Sequence, residues 1–320
     1  MEEMGFSETT SSKLSLPHGT RIRGRWNGKR YIIQRLLGKG ANGVVYLVKH
    51  EQDGKLYALK LGFDTLDIQS EINVLKALQS QGRRRSEGQR SPAYLIEVDD
   101  FTYHSREIPF YVMRYVQGEP LRAFLVRRGS RWLDVVGYPL LQQLRRLHES
   151  GWVFGDLKPE NVIVSAYGEV ELIDYGGVSG IGRSVKQFTE WYDRGFWDAG
   201  SRTADPAYDW FSFAVVCIHL LAEEPLRRAA TQLPQMRSRN DLIGIVRTVP
   251  ELEPYREWLL RALNGDFHDT LEACRLWKEL VSDRLTPKRK PRPSTPRWMV
   301  GAFAVSITLL VCALYLILRF

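Results

Sequence analysis

The chain has 320 residues, enough for one large domain or two ordinary ones with a sizeable core. With 44% hydrophobic and 26% charged residues it is not a largely disordered chain. The net charge of +8 is local: Lys288, Arg289, Lys290, Arg292 and Arg297 share one short stretch and Arg319 lies near the end. Without those six the rest carries about +2, which argues against a uniformly basic, nucleic-acid-coating protein. Cys217, Cys274 and Cys312 are odd in number and far apart. They form no disulfide framework or metal spacing, and a reducing compartment fits them.

Residues 1–17 are polar and rich in Ser, Thr and Glu. They lack the basic flank and apolar run of a secretory signal, and residues 1–25 read as a flexible N-terminus. Strands are predicted over Arg30–Leu37, Val44–Lys49 and Leu56–Leu61, with Asp53-Gly54 marking a tight hairpin between the last two. Apolar residues at 68, 72, 75 and 78 have helical spacing. A polar loop with four arginines is expected over Gln81–Arg90, then strands over Ala93–Phe101 and Pro109–Val116. From Trp132 the pattern turns helical: Leu140, Leu141, Leu144 and Leu147 mark one face, and Trp210–Leu221 reads as a buried helix. Strands first and helices later predict an α+β, two-lobed arrangement. Thr286–Arg297, with four prolines and five basic residues, reads as an extended spacer. Met299–Leu318 carries no charge, and twenty helical residues span about 30 Å, the thickness of a hydrocarbon core. The alternative, a buried core helix, leaves the missing polar face unexplained. Trp298 stands where an interfacial aromatic would, and the basic residues before the span predict that the N-terminal side is cytoplasmic. The expected topology is a tail anchor with no outer domain.

Leu37-Gly38-Lys39-Gly40-Ala41-Asn42-Gly43-Val44-Val45 lies between two predicted strands. A dinucleotide fold places a helix after such glycines, but here a strand follows. That favours a hairpin folded over nucleotide phosphates, whose backbone N–H groups approach because no Cβ intervenes. A purely structural hairpin is the competing reading. Lys60, at the end of Ala58-Leu59-Lys60, shifts the balance. A lysine in a half-buried cleft needs an anion, and phosphates supply one. Glu71, on the following helix, is its expected partner, although a solvated surface charge has the same sequence.

Gly155-Asp156-Leu157-Lys158-Pro159-Glu160-Asn161 is the strongest signal. Together with Asp174-Tyr175-Gly176 it resembles the catalytic core of the eukaryotic-type (Hanks-type) protein kinases over about Tyr31 to Leu285. The chain more closely resembles the tail-anchored Ser/Thr kinases of spore-forming bacilli. That likeness is carried by Trp26-Asn27-Gly28, Leu37–Leu47, Gly151–Asn161, Tyr192-Asp193-Arg194-Gly195 and the C-terminal apolar run. The resemblance implies a bilobal protein-kinase fold with an N-lobe over 26–114, a C-lobe over 115–285, a linker over 286–297 and a transmembrane helix over 298–318. It also implies a sporulation setting. By the same resemblance Asp156 orients the substrate hydroxyl and accepts its proton, and Lys158 neutralises the moving phosphoryl group. Asn161 and Asp174 hold magnesium. Leu37 to Val45, Ala58, Lys60 and Glu71 form the ATP site, with Met113 and Tyr115 at a hinge binding adenine. Asp209 matches an aspartate that supports the catalytic loop; an N-cap of its helix is the plainer reading.

Three departures stand out. Phe154-Gly155-Asp156 replaces His-Arg-Asp, so the arginine that grips an activation-loop phosphate is missing. Phosphorylation of Ser179, Ser184 or Thr189 is therefore not expected to switch the enzyme through that contact. Tyr175 replaces a phenylalanine, and Asp193-Arg194-Gly195-Phe196 stands near the place of Ala-Pro-Glu. The expected function is phosphorylation of cytosolic proteins by a kinase in the cell membrane. A small-molecule phosphotransferase and a non-catalytic tether are the alternatives. The basic spacer is expected to meet anionic lipid headgroups, with DNA as a further partner.

Overall fold

The computed structural model describes residues 15–40, 42–85, 94–186, 188–285 and 297–319. It forms two compact units, 1–278 and 279–320.

The larger unit begins with a six-stranded sheet in the order β1-β2-β3-β4-β6-β5. Its strands are β1 (Arg21–Arg23), β2 (Arg30–Gly40), β3 (Gly43–His50), β4 (Leu56–Gly62), β5 (Leu95–Tyr103) and β6 (Arg106–Arg114). All neighbours pair antiparallel. Alternating residues point one way, and Ile22, Tyr31, Ile33, Val44, Tyr46, Val48, Leu59, Leu61, Phe110 and Val112 pack as one cluster. The sheet therefore starts at Arg21, inside the stretch read as a flexible N-terminus. A single isoleucine between two arginines carries no strand pattern; pairing Ile22 with Tyr31 makes the strand. Next to it the Trp26-Asn27 turn is held by Asp99, which accepts from the Trp26 and Asn27 backbone N–H groups at 2.9 and 2.8 Å.

Helix α1 (Thr65–Arg85) follows β4 and buries Ile68, Ile72 and Leu75. It corrects the loop expected over Gln81–Arg90, because the helix runs on through Arg85. Arginine and glutamine propagate a helix well, and the first proline beyond α1 is Pro92. Residues 86–90, with Arg90 among them, lie outside the described residues, as does Ala41 of the glycine loop.

The second lobe is helical: α2 (Leu121–Arg128), α3 (Trp132–His148), α4 (Pro206–Leu221), α5 (Glu223–Ala230), α6 (Arg239–Thr248), α7 (Arg256–Asn264) and α8 (Thr270–Leu285). In α3 the four predicted leucines are all buried, and every residue of α4 from Tyr208 to His219 is buried. Phe213 of α4 packs edge-on against Trp258 and Trp277, with ring centroids 5.0 and 5.1 Å away. Gly137 of α3 is needed there, because a Cβ would stand 2.4 Å from the Trp277 ring. Short strands frame the loops between the lobes. β7 (Glu119–Pro120) and β10 (Val170–Leu172) flank β9 (Val162–Val164), and β8 (Trp152–Val153) pairs with β11 (Ser179–Gly180).

In the smaller unit α9 covers Arg297–Arg319. Its segment Gly301–Arg319 has a mean hydropathy of 2.4 and no buried residue, long and apolar enough to cross a membrane. The spacer ahead of it, residues 286–296, lies outside the described residues.

Candidate active site

The predicted glycine loop is the β2–β3 hairpin, closed by pairing of Gly40 with Gly43. Gly43 is required by packing, since a Cβ would lie 2.3 Å from the Leu61 carbonyl oxygen. Gly38 and Gly40 are different: a Cβ on either meets nothing within 4 Å, and neither has positive φ. Internal packing does not explain them, and the bare backbone leaves room for a phosphate to approach. Val44 is buried, Leu37 and Val45 are half-buried, and Lys39 is exposed. Ala58 pairs with Leu47 and with Met113, which places it in the sheet beside the hinge. Met113 is the penultimate residue of β6, and the Tyr115 hydroxyl accepts from Arg35 at 3.3 Å.

Lys60 lies mid-sheet on β4, between Val45 and Tyr111. Its ammonium donates to both oxygens of Glu71, at 3.0 and 2.8 Å, and to Asp174 Oδ1 at 3.0 Å. Lys60 and Glu71 are only 7% and 4% exposed, so each needs the other. Burial pushes the lysine pKa down, but the two carboxylates outweigh it and hold Lys60 above its usual value. Against the upward push of burial, the Lys60 ammonium and the Gly176 amide hold Asp174 below the ordinary carboxylate range. This one lysine ties β4 to α1 and to the second lobe. Eleven residues separate it from Glu71, and a short turn after Gly62 into Thr65 suffices for the connection.

The catalytic-loop motif runs from β8 to β9. Asp156 is 8% exposed and its carboxylate is spoken for on both sides. Oδ2 accepts from Lys158 Nζ at 2.7 Å, and Oδ1 accepts the Thr189 hydroxyl at 2.8 Å. Lys158 Nζ also reaches Thr189 Oγ1 at 3.1 Å. The Asn161 amide nitrogen donates to the Asp156 carbonyl at 2.8 Å, so its amide oxygen is the end left for a cation. Among the described residues no three His, Cys, Asp or Glu side chains gather. A divalent ion held by Asn161 and Asp174 would need the rest of its oxygen shell from phosphates and water, the kind of shell magnesium takes.

Asp209 is fully buried. It accepts the backbone N–H groups of Phe154 and Gly155 at 2.8 and 2.9 Å, and His148 Nε2 lies 2.8 Å from it. The N-cap reading of Asp209 is corrected: the cap of α4 is Asp205, which accepts from the Tyr208 N–H at 3.0 Å. Two participants escaped sequence reasoning. Thr189 reads in the sequence only as a phosphate acceptor, and nothing in the sequence singles out His148. Each meets its partner across 33 and 61 residues, where spacing carries no signal.

Gly155 stands at φ +80°. A Cβ there would lie 2.8 Å from the Gly177 carbonyl oxygen, so no arginine fits this backbone. The activation segment is held by other means. Gly182 N–H donates to Ala204 O at 2.8 Å, Ala204 N–H to Arg183 O at 2.7 Å, and Val185 N–H to Arg202 O at 2.9 Å. Beyond it, a crossed pair of ion pairs occupies the place of Ala-Pro-Glu. Asp193, 1% exposed, accepts from Arg202 and the Tyr208 hydroxyl, while Arg194 grips Asp205 through two nitrogens at 3.0 and 2.7 Å.

A model of the protein kinase domain matches residues 31–301. The chain belongs to the protein kinase family, and the family implies use of ATP. Within it the chain is similar to the serine/threonine-protein kinase YabT of Bacillus subtilis, 37% identical over 297 residues that cover 89% of this chain and 83% of that protein. It is a kinase of the Ser/Thr, bacterial Hanks type. Similarity extends to a putative cyclin-dependent kinase F-2 of Oryza sativa, 25% identical over 68% of this chain and 69% of that one. Among solved structures, vaccinia related kinase 3 shares the fold, with a TM-score of 0.62, 15% identity and coverage of 88% and 95%.

Proposed function

We propose that this chain transfers the γ-phosphoryl group of ATP to Ser and Thr hydroxyls of cytosolic proteins, working from the cell membrane. The observation that carries the reading is Lys60, whose single ammonium joins Glu71 of α1 to Asp174 of the other lobe. Lys60, so held, receives the α- and β-phosphates under the bare Gly38–Gly40 backbone. Asp156 orients the acceptor hydroxyl and takes its proton; its Oδ1 already accepts a threonine hydroxyl, the same chemical group. Lys158 neutralises the charge that develops on the moving phosphoryl group. Magnesium, held by the Asn161 amide oxygen and Asp174, supplies charge neutralisation at the phosphate oxygens. Positioned charge of this kind is most of what phosphoryl transfer requires.

For the membrane, α9 is long and apolar enough for a span, and the basic residues ahead of it support a cytoplasmic N-terminal side. The basic spacer then lies among anionic headgroups, each Lys or Arg near the surface contributing about 1 kcal/mol. DNA phosphates offer the same charge to the same residues.

The test is transfer of labelled phosphate from ATP to a generic protein substrate by the full chain in lipid vesicles. Transfer that Asp156→Ala abolishes supports the reading; label appearing only on small metabolites overturns it. Repeating the assay with neutral vesicles, anionic vesicles and added DNA separates the partners of the spacer.

A further inference from the structure

The activation segment carries a cation that the catalytic reading does not use. Lys186 Nζ donates to Ser70 Oγ of α1 at 2.6 Å. Its backbone N–H donates to Ser179 Oγ at 3.2 Å, and that fully buried hydroxyl donates to the Gly177 carbonyl at 3.1 Å. Ser70 directly precedes Glu71, which holds Lys60, which in turn holds Asp174, three residues before Gly177. The contacts therefore close a ring: Asp174, Gly177, Ser179, Lys186, Ser70, Glu71, Lys60 and back to Asp174. A cavity of about 210 Å³ lies within this region, lined by Asn42, Glu71, Gly176 and Lys186 among others.

We propose that Lys186 is a positioning residue that keeps Glu71 on Lys60 by tying the activation segment to α1, so that the segment orders this helix without a phosphate of its own. The inference rests on the kinase reading and adds its control. The physical case is that α1 sits at the end of one lobe with Glu71 as its functional side chain. Rotation or outward drift of α1 withdraws that carboxylate and leaves a buried ammonium with one partner fewer. A charged donor on a serine hydroxyl one residue away opposes the drift. Gly155 leaves no arginine to do this through a phosphate, and the amide end of Lys186 is anchored by a buried hydroxyl. The tie therefore has a fixed point at the segment and a moving point at the helix.

The test compares wild type with Lys186→Met, Lys186→Arg, Ser70→Ala and the Lys186→Met/Ser70→Ala double variant, as full chains in detergent. Hydrogen exchange of α1 and steady-state phosphorylation are both measured. Lys186→Met should speed exchange of α1 amides and lower kcat about fivefold, the loss expected for one charged hydrogen bond at a partly exposed site. Ser70→Ala should do the same, the double variant should lose no more than either single one, and Lys186→Arg should restore most of the activity. Unchanged α1 exchange in Lys186→Met overturns the proposal, and so do single effects that multiply in the double variant. The exchange readout needs no catalysis, so it decides the matter even if phosphotransfer itself fails the Asp156→Ala control.

Discussion

Gly155 and Gly177 meet backbone to backbone: a Cβ on Gly155 would lie 2.8 Å from the Gly177 carbonyl oxygen, and a Cβ on Gly177 would lie 2.9 Å from Asp156 Cβ. The absent arginine is thus a steric consequence of how closely the catalytic loop and the activation segment approach. Restoring it should not restore a phosphate switch. Gly155→Arg, with left-handed φ and a displaced carbonyl, should cost about 2 kcal/mol or more. It should lower both Tm and activity, as thermal melting and phosphate transfer will show. A gain of phosphate-dependent activity would refute this account.

Thr189 should matter for its hydroxyl rather than as a phosphate acceptor, because that hydroxyl bonds Asp156 and Lys158. Thr189→Ala should lower kcat about tenfold, the order of one charge-assisted hydrogen bond. Thr189→Ser should recover it. A phosphate at this position would set negative charge against Asp156, so Thr189→Glu should be less active than Thr189→Ala. Ser184 is exposed, and Ser184→Ala should leave turnover unchanged.

Removing the Asp209 carboxylate strands two buried N–H groups of the catalytic loop and the His148 imidazole. Asp209→Ala should cost about 3 kcal/mol, within the range for breaking a buried network. Denaturant titration reads the stability. Because those amides hold the loop just before Asp156, kcat should fall more than KM for ATP rises.

Lys60→Met exchanges a buried ammonium for an apolar chain and leaves Glu71 and Asp174 without it. ATP turnover should drop by about two orders of magnitude, as for loss of a main electrostatic stabiliser. Chelation of divalent ions should abolish turnover in the wild type and be reversed by added magnesium.

Burial holds His219 below its usual pKa, outweighing Glu223, whose carboxylate lies 3.8 Å from Nε2; Arg122 adds to the depression and Glu160 opposes it. Its Nδ1 lies 2.6 Å from the Tyr192 hydroxyl. A histidine with a depressed folded pKa binds fewer protons folded than unfolded. Its contribution is therefore complete above the unfolded value of about 6.5 and is lost as pH falls through the folded value. Tm should decline between about pH 7.5 and 5.5, and His219→Gln should flatten that decline. An identical pH profile in the variant would remove His219 as the cause.

The elements that carry the chemistry were legible because each repeats a local pattern. The Val44–Lys49 strand, the spacing of Ile68 and Ile72 and the apolar run of α4 all lie within one element, where side-chain period and fold period coincide. Arg21–Arg23 was not legible, because one apolar residue makes no period. The end of α1 is not legible in the sequence, because polar arginines suit a helix as well as a loop. Within the site, Asp156, Lys158 and Asn161 sit in one heptapeptide and could be read together. His148, Thr189 and the crossed pairs of Asp193–Arg202 and Arg194–Asp205 could not, since each joins segments that only folding brings side by side.

Which charges this protein owns, and their order along the chain, can be read without a fold: a lysine on an apolar strand, an aspartate and lysine two residues apart, an aspartate ahead of a glycine pair. How those charges are used follows from folding alone. The tertiary structure put one ammonium between Glu71 and Asp174, set a threonine on Asp156, and closed the space above Gly155 against any side chain. The reason is physical: residue type fixes what a group can donate or accept, whereas burial and distance, which depend on the whole fold, fix what it does.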